Sequence, residues 1–243
     1  MLNKRTYCVS DIHSTYTKFL KSIPKDCGHL IINGDLFNKG REQEEMLFWF
    51  MKNYYKSDKY TFIFGNHEVR FFNELYRMLK SDNLQDLYDA WFESDNPFNI
   101  ANVAKKLIDE GKLDADELFN KALKVFKFYH IYKSKIGFTY IISHASWDIT
   151  KKPKQQNKKN LVYDTILFFN QVRKKNNPIL DKYALKCKQN KIIHVIGHYV
   201  CSRVFKVQAP YINRDVFYFI DNGVFKTNNP YYFMNLDGLE GEY

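Results

Sequence analysis

Thr6-Tyr7-Cys8-Val9-Ser10-Asp11-Ile12-His13, His29-Leu30-Ile31-Ile32-Asn33-Gly34-Asp35 and Tyr60-Thr61-Phe62-Ile63-Phe64-Gly65-Asn66-His67-Glu68 follow one plan. In each, a short β-branched and aromatic run passes directly into a polar cluster. The runs Thr6 to Ser10, His29 to Asn33 and Tyr60 to Phe64 read as strands. Thr15 to Ile23 and Glu42 to Lys52, which lie between them, carry apolar residues at helical spacing. Strand, helix, strand, helix, strand is the order of βαβ units and predicts an α/β (α+β) chain. Open sheets of this kind place their ligands beyond the carboxyl ends of the strands, where these polar clusters stand.

Further along, Val69 to about Tyr129 shows apolar residues three and four apart, broken at Ser94-Asp95-Asn96-Pro97 and at Gly111. This predicts several helices, read as a cap inserted at about 69–129 beside the site. Strands are expected again at Phe138 to Ser143, Lys191 to Ile196, Val216 to Ile220 and Tyr231 to Asn235. The first two of these also end in histidine, at His144 and His198. Lys151 to Asn160 reads as a basic, solvated connector.

With 243 residues, of which 45% are hydrophobic and 17% aromatic, the chain suits one domain over 1–243 carrying that insertion. No basic start followed by an apolar stretch marks a signal peptide. The longest apolar runs, such as Phe138 to Ile142, fall well short of the roughly 20 residues a membrane helix needs. A soluble protein is expected, without a membrane partner. Cys8, Cys27, Cys187 and Cys201 lack metal-knuckle or disulfide-framework spacing, which points to a reducing, cytoplasmic setting. The net charge of +10 would attract a phosphorylated substrate. Lys, Asn, Tyr, Phe and Ile are frequent throughout, so the charge reads as compositional bias and not as a nucleic-acid footprint.

The strand ends supply Asp11 and His13, two residues apart, then Asp35, Asn66 beside His67, His144 and His198. Asp11 and His13 can point at one cation from a single turn. Asp35 can bridge two cations through its two oxygens, and Asn66 with two further imidazoles can complete a second site. Two divalent cations roughly 3.5–4 Å apart activate water and clamp an in-line displacement, which is phosphoryl chemistry. His29, His130 and His194 stand outside these clusters and read as core histidines. Phe48, Trp49, Phe71, Phe72, Trp91 and Phe92 read as core aromatics and not as base-stacking platforms.

The ordered segments Ser10-Asp11-Ile12-His13-Ser14, Gly34-Asp35-Leu36-Phe37-Asn38-Lys39-Gly40, Gly65-Asn66-His67-Glu68, Ser143-His144-Ala145 and Gly197-His198 resemble the five signature blocks of calcineurin-like metallophosphoesterases. The third block is similar to that of the phosphoprotein-phosphatase branch, with its small bacterial and phage protein phosphatases and symmetrical diadenosine tetraphosphate hydrolases. Ile220-Asp221-Asn222-Gly223 resembles the family's late strand and turn. The resemblance implies a metallophosphoesterase β-sandwich flanked by helices. It also implies a dinuclear centre, with Asp11, His13 and Asp35 on the first metal and Asp35, Asn66, His144 and His198 on the second. His67 would be the general acid for the leaving oxygen. Manganese is the first choice of metal, with iron or zinc also suited to the donor set.

Three positions depart from the pattern. Asn38 and Lys39 stand where the family usually has an Asp that supports the catalytic histidine and an Arg that grips phosphate. Lys39 keeps the charge without the bidentate fork; Arg41 and Arg173 are further candidates for the phosphate. Ser14 replaces the Gly usual in the first block. The resemblance implies hydrolysis of phosphate monoesters of the Ser/Thr protein phosphatase type. Hydrolysis of dinucleoside polyphosphates is the alternative, and a non-catalytic scaffold of the same fold is a third reading.

Overall fold

The computed structural model describes residues 4–80, 99–145, 147, 152–163, 178–198, 205–208, 215–221, 223–224 and 230–238. Three strands, β1 (Arg5–Val9), β2 (Cys27–Asn33) and β3 (Tyr60–Ile63), pair in parallel. Short β9 (Met234–Asn235) pairs antiparallel with β1, giving a four-stranded sheet of order β3-β2-β1-β9. The second sheet has the order β4-β5-β6-β8-β7. It is built from β4 (His130–Lys133), β5 (Thr139–Ser143), β6 (Ile192–Ile196), β7 (Phe205–Gln208) and β8 (Asp215–Phe219). Here β5, β6 and β8 run parallel, and β4 and β7 close the edges antiparallel.

Side chains alternate across a strand, and that alternation stacks the two sheets. Cys8, Ile31, Ile63 and Met234 of the first sheet meet Tyr140, Ile142, Ile193, Val195 and Tyr218 of the second in one buried layer. The opposite faces of β1, β2 and β3 send Tyr7, Val9, Leu30, Ile32 and Phe62 into a second core. That core is covered by α1 (Tyr16–Ser22), α2 (Gln43–Met51), α3 (Asn66–Lys80), α4 (Ile100–Asp109) and α5 (Ala115–Asn120). On α3 the buried Phe71, Phe72, Leu75 and Met78 form one stripe, and on α4 Ile100, Ala101, Ala104 and Leu107 form another. The described helices between 69 and 129 thus pack on the outer face of the first sheet. On the far face of the second sheet Ile141, Trp147 and Leu161 make a smaller cluster.

The expected mixed α/β sandwich flanked by helices is the architecture found. Differences lie at element ends and in whole elements that the sequence did not signal. Only Met234–Asn235 of the expected strand Tyr231 to Asn235 pairs; upstream of it the Tyr231 hydroxyl donates to the Ile12 carbonyl at 2.9 Å. β4, β7 and helix Pro178–Gln189 were not anticipated. Within the expected basic connector, a 3₁₀ turn spans Pro153–Gln155 and a helix starts at Lys158. Phe48, Trp49, Phe71 and Phe72 belong to the first core; Trp91, Phe92 and Cys201 lie outside the described residues. Among the described residues no helix is long and apolar enough to cross a membrane.

Candidate metal centre

The turns that follow β1, β2 and β6 pass through left-handed backbone. Asp11 (φ 56°), His13 (50°), Ser14 (50°), Asp35 (51°), Asn38 (66°), Lys39 (64°) and His198 (59°) all adopt it. Such residues cost of order 1–3 kcal/mol each and persist only where their surroundings hold them. The hold is mutual. Asp11 N–H donates to the Gly34 carbonyl at 3.1 Å, His13 N–H to that of Asp35 at 2.8 Å, and Ser14 N–H to that of Leu36 at 2.9 Å. Gly34 (φ 76°) is required at its position, because a Cβ there would run into the His144 ring.

Glu68 fixes the same region from the third turn. Its fully buried carboxylate accepts from Asp35 N–H and Gly65 N–H, both at 2.8 Å, and from Phe37 N–H at 3.2 Å. The bond to Gly65 is the reach-back of a capping box: a Glu in the first turn of α3 satisfies the N–H just before the helix. The bonds to Asp35 and Phe37 tie the second turn to that helix. A fourth tie crosses between the sheets, where Asn33 Nδ2 donates to the Ser143 carbonyl at 3.0 Å.

The donor atoms converge on Asp35. His13 Nε2 lies 3.8 Å from Asp11 Oδ1 and 3.8 Å from Asp35 Oδ2, and His67 Nε2 lies 3.9 Å from Asp35 Oδ2. On the other side His144 Nε2 is 3.3 Å from Asp35 Oδ1 and 3.1 Å from His198 Nδ1. Two groups, His13 with Asp35 and His67, and Asp35 with His144 and His198, each bring one donor atom per residue within 4.8 Å of the others. Asp35 belongs to both. Its Oδ1 also accepts from His67 N–H at 3.1 Å, which fixes the carboxylate between the groups.

Two details of the donor set fit a divalent cation. His144 Nδ1 stands 2.9 Å from the Asn33 carbonyl, so that nitrogen carries the proton and Nε2 faces the cluster as a bare lone pair. Asn66 turns its amide oxygen to acceptors alone: Asp35 Oδ1 and Oδ2 at 3.2 and 3.3 Å, His144 Nε2 at 3.3 Å and His198 Nδ1 at 2.8 Å. A rotated amide could donate to these atoms, whereas a cation satisfies the oxygen as it stands. The Asp11 carboxylate accepts from the Ser10 hydroxyl and, at 3.0 Å, from His198 N–H, which joins the first turn to the last.

Burial dominates the titration of these groups. It pushes Asp11 well above the usual carboxylate range, with the charges of Asp221 and Asp35 adding to it, and does the same to Asp35 with Glu68. It holds His13, His144 and His198 below the ordinary imidazole value, assisted by Lys39 at His13 and His198 and by His198 at His144. The imidazoles are therefore neutral at pH 7 and need lose no proton to accept a cation. A bound cation would in turn favour the ionised carboxylates.

All six residues assigned to metals in the sequence meet here, together with His67. Lys39 joins them, its Nζ 3.3 Å from His13 Nε2, while Arg41 is exposed in the same turn. Arg173 lies outside the described residues. His67 stands at the rim with its side chain 14% exposed and its ring edge-on to that of His13, centroids 5.0 Å apart. Burial and the charges of Lys39 and Arg70 lower its pKa to about 3. Asn38 does not support it: the Asn38 Oδ1 accepts from Ile100 N–H at 3.0 Å, and His67 Nδ1 has no hydrogen-bond partner among the described residues. The sequence reading missed Gln43 and the structural hold of Glu68, whose only signal was its place three residues after Gly65. Gln43 Oε1 accepts from the Ser14 hydroxyl at 2.7 Å and from Asn38 N–H at 3.2 Å, and its Nε2 donates to the Gly40 carbonyl at 2.7 Å.

The profile of the calcineurin-like phosphoesterases matches residues 4–202, and the chain belongs to that family. No curated protein shows significant similarity to the sequence. Among solved structures, a cold-active protein-tyrosine phosphatase of a psychrophilic Shewanella species is similar, with TM-score 0.54 and 17% identity over 96% of this chain and 75% of that one. A candidate diadenosine tetraphosphatase matches with TM-score 0.53 and 12% identity over 99% of this chain and 96% of that one. At these identities the likeness concerns the fold.

Proposed function

We propose that the chain hydrolyses phosphate monoesters in the manner of a Ser/Thr protein phosphatase, using two divalent cations. Asp11, His13 and Asp35 would hold the first, and Asp35, Asn66, His144 and His198 the second. The observation that carries the proposal is Asp35, shared by two groups of donors and fixed between them by His67 N–H. When bound, such a pair of cations supplies Lewis acidity and an activated water; manganese is the first choice, with iron or zinc as alternatives. The chain's own groups do the rest. Lys39 pairs its ammonium with the substrate phosphate, and Arg173 is carried over from the sequence as a second phosphate contact. His67, at the rim, gives a proton to the leaving oxygen once a bound phosphate dianion has offset the neighbouring positive charges and raised its pKa from the low value it has without substrate. The scattered cysteines, without framework spacing, favour a cytoplasmic setting.

A second reading, hydrolysis of dinucleoside polyphosphates, is favoured by one observation. Residue 38 is an amide and its Oδ1 is committed to Ile100 N–H, so it neither charges nor supports His67, and a leaving phosphate needs less protonation than an alkoxide. The solved structure matched over nearly its whole length is named for that activity. The test is a panel of phosphopeptides, aryl phosphates and dinucleoside polyphosphates offered to the manganese-loaded chain, with and without chelator. Turnover that chelation removes and manganese restores is expected. Full activity in a verified metal-free preparation would sink the two-cation reading, and the best substrate decides between the esters and the anhydrides.

A further inference from the structure

Lys39 stands against the ring nitrogen of His13 that the first cation would use. Its Nζ lies 3.3 Å from His13 Nε2. The other ring nitrogen, Nδ1, is 3.4 Å from the Phe37 carbonyl, so Nδ1 carries the proton and Nε2 keeps the lone pair. An ammonium has donors alone, and the contact therefore uses that lone pair. The same nitrogen lies 3.8 Å from Asp11 Oδ1 and 3.8 Å from Asp35 Oδ2, among the donors of the first site. A lone pair serves one partner at a time.

The backbone keeps Lys39 at this place. Its turn lies directly on the first loop: a Cβ on Gly40 would strike the His13 carbonyl, and Glu42 N–H donates to the Ser14 carbonyl at 3.2 Å. Asn38 and Lys39 hold positive φ, and Gln43 and Ile100 tie the turn down through Asn38. Lys39 itself is exposed, whereas the His13 side chain is 1% exposed. The four-carbon stem thus enters from solvent, ends on a buried nitrogen and has solvent to return to. An Arg would spread its charge over a planar fork, but Lys brings a compact charge to one atom.

We infer that Lys39 controls the loading of the first cation site, its ammonium competing with the cation for His13 Nε2 and withdrawing to solvent when the cation binds. This rests on the reading above, in which Asp11, His13 and Asp35 hold a cation. The ammonium keeps its proton throughout; only the hydrogen bond to Nε2 is exchanged. The first site then fills after the second and empties before it, and over a range of manganese concentration the chain holds a single ion.

The test uses the full chain, stripped of metal, with manganese alone as the probe. Calorimetry reads the affinities, and electron paramagnetic resonance reads pairing, since two neighbouring manganese ions give a spin-coupled signal distinct from that of one. Two binding steps of unequal affinity are expected in the wild type. Lys39→Met and Lys39→Gln should each tighten the weaker step about ten- to hundredfold, the size of one hydrogen bond to a charged group, and leave the tighter step within about twofold. At one equivalent of manganese the coupled signal should be larger in both variants. Lys39→Arg keeps the charge and should stay closer to the wild type. A side chain that merely held the loop would act in the opposite direction, because its loss would weaken binding. With two ions bound, a weaker step that is unchanged or weakened overturns the proposal, and so does equal tightening of both steps, which is the mark of net charge alone. A second ion that binds only in the neutral variants supports it. A single ion bound by the wild type and the neutral variants alike overturns the two-cation reading, and the proposal with it.

Discussion

Glu68→Gln changes one carboxylate oxygen into an amide NH₂ and little else in shape. In the fold Oε2 accepts from the backbone N–H groups of Asp35 and Gly65 and Oε1 from that of Phe37, and Leu36 N–H also stabilises the carboxylate. Whichever way the new amide turns, a donor faces a donor, and the side chain is 0% exposed, so water cannot intervene. The better orientation turns NH₂ toward Phe37 and keeps two bonds, now to a neutral acceptor. Hydrogen bonds to a charged group contribute about 1.5–3 kcal/mol each, and an unsatisfied buried donor costs about 1–3 kcal/mol. Allowing for local relaxation, the variant should lose about 2–4 kcal/mol. At a urea m value of about 2 kcal/mol/M the midpoint would fall by about 1–2 M. Urea titration of the metal-free protein, followed by tryptophan fluorescence, measures the loss, and manganese calorimetry should show weakened binding because the Asp35 turn is no longer held. An unchanged midpoint would refute the reasoning. It would mean that burial, which raises the Glu68 pKa, has protonated the group in the fold and that one of its oxygens is already a donor.

His67→Asn separates two roles for that ring. As general acid, its loss should slow alkyl phosphate turnover by about 10²- to 10⁴-fold and aryl phosphate turnover by much less, with metal content unchanged; a variant that binds only one manganese ion would instead make His67 a ligand. Buried His194, whose Nε2 meets the Tyr183 hydroxyl at 2.8 Å, gives a pH dependence of stability. Burial pushes its pKa down to about 3, so the unfolded chain binds the proton first and stability is lost as pH falls from about 6.5 toward about 3. The slope reaches about 1.4 kcal/mol per pH unit. The difference in stability between wild type and His194→Gln should shift by about that much per unit between pH 6 and 4, and a constant difference would show that the imidazole gains its proton without cost.

The strands that organise the site were legible because they are buried on both faces. Cys8, Ile31 and Ile63 face the second sheet while Tyr7, Val9, Leu30, Ile32 and Phe62 face the helices, so each run carries apolar residues on both faces. β4 was not legible for the opposite reason. His130–Lys133 alternates between half-buried and exposed positions, and its sequence, HIYK, has only two apolar or aromatic residues to signal a strand. The stacking of the two sheets was implied only by the family resemblance. It depends on parallel pairings between segments far apart in sequence, such as Thr139 to Ile192 and His194 to Phe217, which no local pattern encodes.

For the site, residue type and position after a strand were enough to pick out the residues that converge around Asp35, since carboxylates and imidazoles crowded at strand ends have few structural uses. The substituted positions were harder to read, and Ser14 with Asn38 shows why. Compared block by block with the family pattern, they are two separate losses: a glycine for a hydroxyl, and a carboxylate for an amide. In the fold they share Gln43, whose Oε1 accepts from the Ser14 hydroxyl and from Asn38 N–H. Asn38 Oδ1 then accepts from the first residue of α4. Both Asn38 and Lys39 hold positive φ, so the turn that carries the Lys39 ammonium is strained and needs this network. An Asp in place of Asn38 would keep the backbone N–H that meets Gln43 and could accept from Ile100 N–H through a carboxylate oxygen, so its added charge would act first within this loop and only through it on His67. A sequence pattern registers the missing carboxylate. The physical question it cannot pose is what the replacement touches, and here the answer is the loop that places a cation beside His13.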